Sequence, residues 1–404
     1  MADQYVEVTT ESWGKRLGDS IKGIFFGVLL LILGIVLLFW NEGRAVKRTK
    51  TLKEGAGAVV SIAAAPLDPA HESHLVHFSG EATTAQTLAD PEFGRQVRAL
   101  KLVRDVEMYQ WVEEEETEQK KKTGGGTETK TTYTYDTEWS SDPVDSDDFR
   151  HPEGHTNPPF EFDDRQWVAG TIEVGAFRLS EPFKSQLTRS EKIELTEEDL
   201  ATVSPALAGR LLLAGGSFYL GESPDRPQVG DLRIHFRVVN PAVVTVVGQQ
   251  QGNQLVSYQT QVGGTISLLE YGTLTAEVMF EKAQAANVLW TWLLRLGGFL
   301  LTFIGLAMIL RPLSVVADVL PFVGNLVEKG TGLIAFVAAC LVSVVTIAVG
   351  WIFYRPLLGI GLLVVAVCLV VWLVMLGRKR KAAAPAAAPP PPAAAPPPPP
   401  PAAS

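Results

Sequence analysis

An uninterrupted apolar run near the N-terminus restricts what this chain can fold into. Residues 23–40, which read GIFFGVLLLILGIVLLFW, contain no charged side chain. As an α-helix this segment is roughly 27 Å long, close to the hydrocarbon thickness of a bilayer. It is longer than the apolar part of a signal peptide, and the NEGRAVKRTK that follows offers no small-residue cleavage motif. The run therefore predicts a membrane-spanning helix.

Three similar runs in the C-terminal third predict further spans. They cover residues 290–310, 333–353 and 357–376, so that four spans place both chain termini on one side of the membrane. Tryptophans at or near the span ends suit the headgroup layer, which favours amphipathic rings. Arg295 lies about one turn from Trp292, and we expect its guanidinium to reach the same layer along its aliphatic stem.

Two charge patterns disagree about orientation. The GRKRK after the last span favours a cytoplasmic C-terminus, whereas the basic residues shortly after the first span favour a cytoplasmic middle domain. The charge rule is weak for long loops, and the segment between the first two spans is about 245 residues long. The sequence therefore predicts a cytoplasmic N-terminus (1–22), an extracytoplasmic domain (41–285) and a basic, then Ala/Pro-rich, disordered cytoplasmic tail (377–404).

Alternation of apolar and polar residues predicts that the 41–285 domain is mostly β. In residues 232–239 the apolar side chains face one way and the basic ones the other. Residues 243–260 read as two strands around a polar turn. One short helix is predicted at 195–203, where Thr196 and Asp199 have the spacing of a capping box.

The predicted fold class combines these elements. It is a multi-span α-helical membrane protein with four transmembrane helices and a large, mostly β (α+β) extracytoplasmic domain inserted between helices 1 and 2. A short amphipathic connection, residues 311–332, joins the second and third spans.

Four consecutive glutamates at 113–116 belong to a predicted hairpin. The strand-like residues 101–116 and 131–140 flank a polar, glycine-rich segment. Neighbouring side chains of a strand point to opposite faces, so these glutamates cannot converge on one ion without a bulge. We interpret them as a solvated hairpin tip whose charge Lys120–Lys122 can balance.

The loop at 145–158, DSDDFRHPEGHTNP, is the strongest candidate for chemistry. His151, His155 and Asp145 are candidate metal ligands, because imidazole with carboxylate suits zinc or manganese. His155 with Asp147, Asp148 or Glu138 is a candidate acid–base group. The alternative is a loop that these side chains only hold together by hydrogen bonds. The spacing matches no known metal or catalytic motif, so no cofactor is predicted, and an enzymatic activity stays open as the less favoured alternative.

Charge limits the predicted partners. Residues 105–165 carry 18 acidic and 6 basic side chains, a balance that repels nucleic acid. The expected partners are the lipid bilayer, further copies of this chain and other membrane or envelope proteins.

Several motifs match a pattern found in one family of membrane proteins. In chain order they are NEGRAVK, VEMYQWVE, YTYDTEW, GHTNP, VGDLRIHF and GWIFYRPL. They resemble the transmembrane protein 43 family, also called LUMA. The positions that carry the resemblance are Asn41, Glu42, Gly43, Arg44, Glu107, Tyr109, Trp111, Glu138, Trp139, His155, Asn157, Gly230, Asp231, Arg355 and Pro356.

The resemblance implies four spans, a lumenal domain and no established catalytic residue. It also implies residence in the endoplasmic reticulum and inner nuclear membrane of animals, self-association, and contacts with emerin and lamins. The Ala/Pro tail at 382–404 departs from the family and suggests a bacterial homologue, in which the domain is periplasmic and nuclear partners do not apply.

Two functions are consistent with the sequence. The first is a membrane-anchored scaffold that acts through protein contacts and self-association of its extracytoplasmic domain. The alternative is a membrane-surface enzyme that acts on lipid or envelope material through the His/carboxylate loop.

Overall fold

The three long helices lie outside the strand-rich middle of the chain. A computed structural model describes residues 3–318 and 321–356. Its α-helices are α1 (Trp13–Ala58), α2 (Glu181–Lys184), α3 (Glu197–Thr202), α4 (Ala276–Ala317) and α5 (Pro321–Tyr354). Three of them contain a stretch long and apolar enough to cross a membrane, namely Trp13–Ala58, Ala276–Ala317 and Val327–Tyr354. These stretches contain the predicted spans 23–40, 290–310 and 333–353, whereas 357–376 lies outside the described residues.

The described residues contain nineteen strands, and all but β1 lie between α1 and α4. In chain order they are β1 (Asp3–Glu11), β2 (Val60–Ser61), β3 (Leu75–Thr83), β4 (Leu88–Ala89), β5 (Gln96–Val97), β6 (Lys101–Lys121), β7 (Thr127–Ser140), β8 (Arg165–Val168), β9 (Glu173–Val174), β10 (Phe177–Leu179), β11 (Glu191–Ile193), β12 (Leu211–Ala214), β13 (Ser217–Leu220), β14 (Leu232–Val239), β15 (Ala242–Gln251), β16 (Gln254–Val256), β17 (Tyr258–Gln259), β18 (Thr265–Ile266) and β19 (Leu268–Tyr271). The predicted β-rich domain between the first two long helices is confirmed.

Two sheets share one core. The first runs β1-β7-β6-β14-β13-β12, with β11 on β14 and β8 on β6, and the second runs β19-β15-β16-β10-β9-β3-β2, with β15 also on β3. A single buried cluster takes Ile234 and Phe236 from the first sheet and Phe78 and Phe177 from the second. The alternation in β14 is confirmed, because Leu232, Ile234, Phe236 and Val238 are all buried.

The predicted short helix is present as α3. Its N-cap, Thr196, donates its backbone N–H to Asp199 Oδ2 at 2.8 Å, which closes one half of the capping box. The predicted turn between β15 and β16 is also present, at Gly252 and Asn253.

The predicted hairpin is formed by β6 and β7, paired from Met108–Ser140 to Lys121–Thr127. The prediction that Lys120–Lys122 balance the glutamates at 113–116 is wrong, because Lys121 and Lys122 form ion pairs with other carboxylates. Lys121 Nζ lies 2.8 Å from Asp318 Oδ1 and 2.6 Å from Glu328 Oε2, whereas Lys122 pairs with Glu128. Tyr135 Oη donates to Glu113 instead, at 2.6 Å.

The N-terminal residues join the same sheet. Strand β1 pairs with β7 from Asp3–Tyr135 to Glu11–Thr127. We call β1 and the distal hairpin segments 113–121 and 127–135 the ribbon. This pairing brings 3–11 beside 127–135, although the sequence-based division assigns 1–22 and 41–285 to opposite sides of the membrane. The side on which each segment lies stays a prediction.

We call the rest of the β domain, residues 59–112 and 136–275, the domain body. The ribbon reaches the end of the helix pair that lies away from it. At its tip, Gly125 O accepts a hydrogen bond from Arg16 at the start of α1. The domain body contacts the other end of α1, where Arg48 Nη1 donates to Thr265 O at 2.8 Å. From Arg16 to Arg48 the helix rises roughly 48 Å, which exceeds the ~30 Å hydrocarbon layer.

Helices α1 and α4 pack closely because glycines face each other. A Cβ added at Gly27 would lie 2.7 Å from Gly305 O, and one at Gly34 would lie 2.9 Å from Gly298 O. Small residues of this kind let helix backbones approach in a membrane, where dispersion and polar contacts drive association. Helices α1 and α4 are therefore a close-packed antiparallel pair. Their packing holds the polar residues near the domain end in register.

Candidate functional site

A polar cluster lies between α1 and α4 at the domain end of the helix pair. From α1 it takes three residues of the NEGR motif, and from α4 three polar residues spaced one helical turn apart. They are Asn41, Glu42 and Arg44, with Asn287, Thr291 and Arg295. Gly43, the remaining motif residue, is half-buried within α1.

An ion pair joins the two helices in this cluster. Arg295 Nε donates to Glu42 Oε1 at 2.7 Å, and the two side chains are 15% and 2% exposed. The Arg295 guanidinium also lies over the Trp292 ring, 4.8 Å from its centroid. The interpretation of Arg295 as a residue that only extends to the headgroup layer is therefore wrong, because a carboxylate on the facing helix holds it.

Hydrogen bonds extend the cluster toward the domain. Asn41 Nδ2 donates to Thr291 O at 3.0 Å, and Arg44 Nη2 donates to Thr291 Oγ1 at 3.0 Å. Arg44 Nη1 donates to Asn287 Oδ1 at 3.2 Å. Each bond crosses from α1 to α4, so the motif fixes the register of the two helices against each other.

A cavity of about 400 Å³ opens beside this cluster, where the helix pair meets β19 and Gln186, which follows α2. Arg44, Arg48 and Lys282 provide positive charge on its wall, and Glu270 provides the negative charge. Glu270 Oε2 lies 2.9 Å from Lys282 Nζ. The arrangement offers cationic hydrogen-bond donors at the membrane end of the domain.

A second group of motif residues surrounds the middle of the β6–β7 hairpin. Asn157 clamps β6, because its Oδ1 accepts from Trp111 N at 2.8 Å and its Nδ2 donates to Trp111 O at 3.0 Å. His155 stacks on Tyr135 with ring centroids 4.1 Å apart and meets the Trp111 ring edge-on at 4.8 Å. These contacts attach the 145–158 loop to the hairpin.

The remaining hairpin motifs connect it to β14 and the loop before β14. Gly230 has φ +99°, a conformation open to glycine, and its N–H donates to Tyr109 O at 2.8 Å. Asp231 accepts a hydrogen bond from Tyr219 Oη. Burial and then this bond raise the pKa of Tyr219 well above its usual range, so its hydroxyl stays a donor.

Two further motif residues, Glu107 and Trp139, complete this side of the hairpin. Glu107 lies 3.3 Å from His235 Nε2 across the β6–β14 pair. Trp139 lies beside Tyr109, with centroids 5.3 Å apart, and under the Arg233 guanidinium at 3.9 Å. The motif residues around β6 and β7 thus make the contacts that hold the hairpin in place.

Side chains of the His/carboxylate loop, residues 145–158, contact the backbone of the same loop. Asp145 Oδ1 accepts from Asp147 N at 3.0 Å as the cap of a short turn that also contains Asp148. His155 Nδ1 lies 3.0 Å from His151 O, and its Nε2 lies 3.6 Å from Asp3 Oδ2. Glu138 is exposed on β7, opposite Gln110. Within residues 3–318 and 321–356, no group of three or more His, Cys, Asp or Glu side chains is placed to hold a metal ion.

The last motif lies at the end of the described chain. Arg355 N donates to Trp351 O at 2.7 Å, and Pro356 follows it. The motif therefore lies at the C-terminal end of α5, the helix that contains the third candidate span.

Sequence reasoning missed the α4 half of the polar cluster. Asn287, Thr291 and Arg295 recur every four residues, which places them on one helix face within an otherwise apolar stretch. That periodicity, set beside the NEGR motif at the end of the first span, is the signal that points to a polar helix–helix contact.

Fold and site together define the class of protein. It is an integral, multi-pass membrane protein in which a β-rich domain lies between the first two long helices, with a buried ionic contact joining those helices.

Comparison with known proteins agrees with this class. Residues 108–356 match the family model described as Transmembrane protein 43. The mouse (Mus musculus) Transmembrane protein 43 is 36% identical over 370 residues, or 88% of this chain and 90% of that protein. The human (Homo sapiens) protein of that name is 35% identical over 369 residues, with the same coverage, and the Drosophila melanogaster homolog is 34% identical over 365 residues, or 86% of this chain and 93% of that protein.

The chain belongs to the transmembrane protein 43 family. No solved structure matches it.

Proposed function

We propose that the protein is a membrane-anchored scaffold that associates with further copies of itself and, through them, organises other membrane or envelope proteins. The observation that carries the proposal is the ribbon, whose tip contacts the end of the helix pair that lies away from the domain body. Strand β1 and residues 114–120 of β6 are largely exposed and mostly polar. Strands at membrane depth are stable only where protein or water covers them.

A second copy of the chain is the cover that fits best. Strand β1 forms the outer edge of its sheet within the described residues, so its outward N–H and C=O groups are available to another strand. Val6 and Val8 are 47% and 57% exposed on this strand, which adds apolar area to the edge. Pairing between copies would satisfy the backbone and remove the valines from solvent.

Self-association is tested by measuring the mass of the full-length protein in lipid nanodiscs or mild detergent. We expect a dimer or larger assembly, and we expect Val8→Lys to shift it toward monomer because a charge at the contact must be desolvated. Val243→Lys is the matched control, since Val243 is also an exposed strand valine, at 46%, but lies in β15. A monomer for the wild type, or equal effects of both variants, would contradict the proposal.

The domain body is proposed to lie outside the cytoplasm, in the periplasm if the chain is bacterial and in the lumen if it is eukaryotic. Support comes from Arg311, Lys329 and the RKRK run, which outnumber the basic Arg355 on the opposite side.

This orientation is tested with single cysteines in a background without Cys340 and Cys368. A cysteine replacing Asn253 in the β15–β16 turn should react with an impermeant thiol reagent on intact cells, whereas one replacing Ala383 in the tail should not. The reverse pattern would overturn the orientation.

A further inference from the structure

The cavity between the helix pair and the domain has the chemistry of an anion site. Its wall carries Arg44, Arg48 and Lys282 against the single carboxylate of Glu270, and Met279 and Ala283 add apolar surface. Its volume of about 400 Å³ is in the range of small-molecule sites.

The arginines keep hydrogen-bond capacity for a ligand. A guanidinium carries five N–H donors, and the hydrogen bond described for Arg48 uses Nη1, on Thr265 O. Arg44 is held by Asn41, Asn287 and Thr291, which fixes the direction of its guanidinium. Planar guanidinium groups recognise phosphate by paired, charge-assisted hydrogen bonds.

The position of the cavity places such a ligand at the bilayer surface. Trp290 lines it and is 58% exposed, and the adjoining Leu289 and Leu293 are 60% and 47% exposed. Tryptophan favours the headgroup layer, whereas exposed leucines on a spanning helix face acyl chains. The cavity thus adjoins the place where the apolar helix surface ends and the charged residues begin.

We propose that this junction cavity binds a phosphate group, supplied by the headgroup of a phospholipid whose acyl chains lie along α4. The guanidinium groups of Arg44 and Arg48 donate to the phosphate oxygens, and Trp290 packs against the glycerol region. The site goes beyond the scaffold function and does not depend on self-association. It would tie the domain to the membrane surface at the end of the NEGR motif.

The test compares three probes on the full-length protein in detergent by native mass spectrometry. They are dioctanoyl phosphatidylglycerol, dioctanoylglycerol, which lacks the phosphate, and inorganic phosphate. We expect the phosphatidylglycerol to bind at least about tenfold more tightly than either of the others, the ratio that corresponds to one retained charge-assisted contact. Tight binding of inorganic phosphate alone would keep the anion site and overturn the lipid as its source.

Variants then separate the site from general charge effects. Arg48→Gln should weaken phosphatidylglycerol binding about tenfold, whereas Lys50→Gln should leave it unchanged, because Lys50 lies on the same helix but is exposed and outside the cavity lining. Lys282→Gln changes the opposite wall of the cavity and should also weaken binding. It keeps the test informative if Arg48→Gln fails to fold. Equal binding of the two lipids, or equal effects of Lys50→Gln and the cavity variants, would overturn the site.

Discussion

Replacing Glu42 with alanine should lower the free energy of unfolding of the helix pair by about 3–5 kcal/mol, the usual cost of removing one partner from a buried ion pair. Glu42 is 2% exposed at its side chain, and Arg295 Nε lies 2.7 Å from its carboxylate. The substitution removes the carboxylate that offsets the guanidinium in an apolar layer. Unfolding of the full-length protein by sodium dodecyl sulfate, followed by circular dichroism, measures the change.

Two comparisons make this result specific to the ion pair. Glu281→Ala on α4 removes an exposed glutamate and should change stability by less than about 0.5 kcal/mol. The double variant Glu42→Gln with Arg295→Gln should recover much of the loss, because two neutral amides can hydrogen-bond without a buried charge. If Glu42→Ala and Glu281→Ala unfold alike, the pair does not hold the helices together.

Replacing Gly305 with leucine should separate α1 from α4 and cost about 2–3 kcal/mol. A Cβ at this position would lie 2.6 Å from Gly27 O and 2.7 Å from Leu31 N, and backbone atoms cannot move aside as a flexible side chain can. The same detergent titration measures the effect, with helix separation read from the distance between spin labels on the two helices.

Gly297 supplies a control on the same helix. A Cβ there would meet no atom within 4 Å, so Gly297→Leu adds the same side chain toward open space. We expect this variant to unfold at nearly the wild-type detergent concentration. Comparable losses from the two leucines would contradict a specific α1–α4 contact at Gly305, because leucine favours a helix over glycine at either position.

The β domain shows how far periodicity carries a prediction. Leu232, Ile234, Phe236 and Val238 alternate with polar residues, and burying one face of a strand is the main way to remove that apolar area from water. The β6–β7 hairpin follows for the same reason, since its two arms alternate around a glycine-rich turn. The order of the strands in the sheets did not follow, because the pairing of β6 with β14 joins segments far apart in the chain.

The candidate sites were predictable in unequal measure. The NEGR residues and the hairpin motifs were identified as special positions, but their partners were not. His155 illustrates the difference, because its spacing from aspartates suggested chemistry, whereas its ring is packed against Tyr135 and Trp111. Which groups surround a side chain depends on contacts between distant segments, and local spacing contains no information about them.

The sequence by itself determined the membrane class, the location of three apolar helices and the β character of the segment between the first two, because each depends on local hydrophobic length or period. Tertiary structure alone decided that β1 pairs with β7, that Lys121 bonds to Asp318, and that Glu42 neutralises Arg295. In each case a strand edge or a charge needs a partner. The residue that meets this need is selected by how the α1–α4 helix pair and the ribbon are brought together in space.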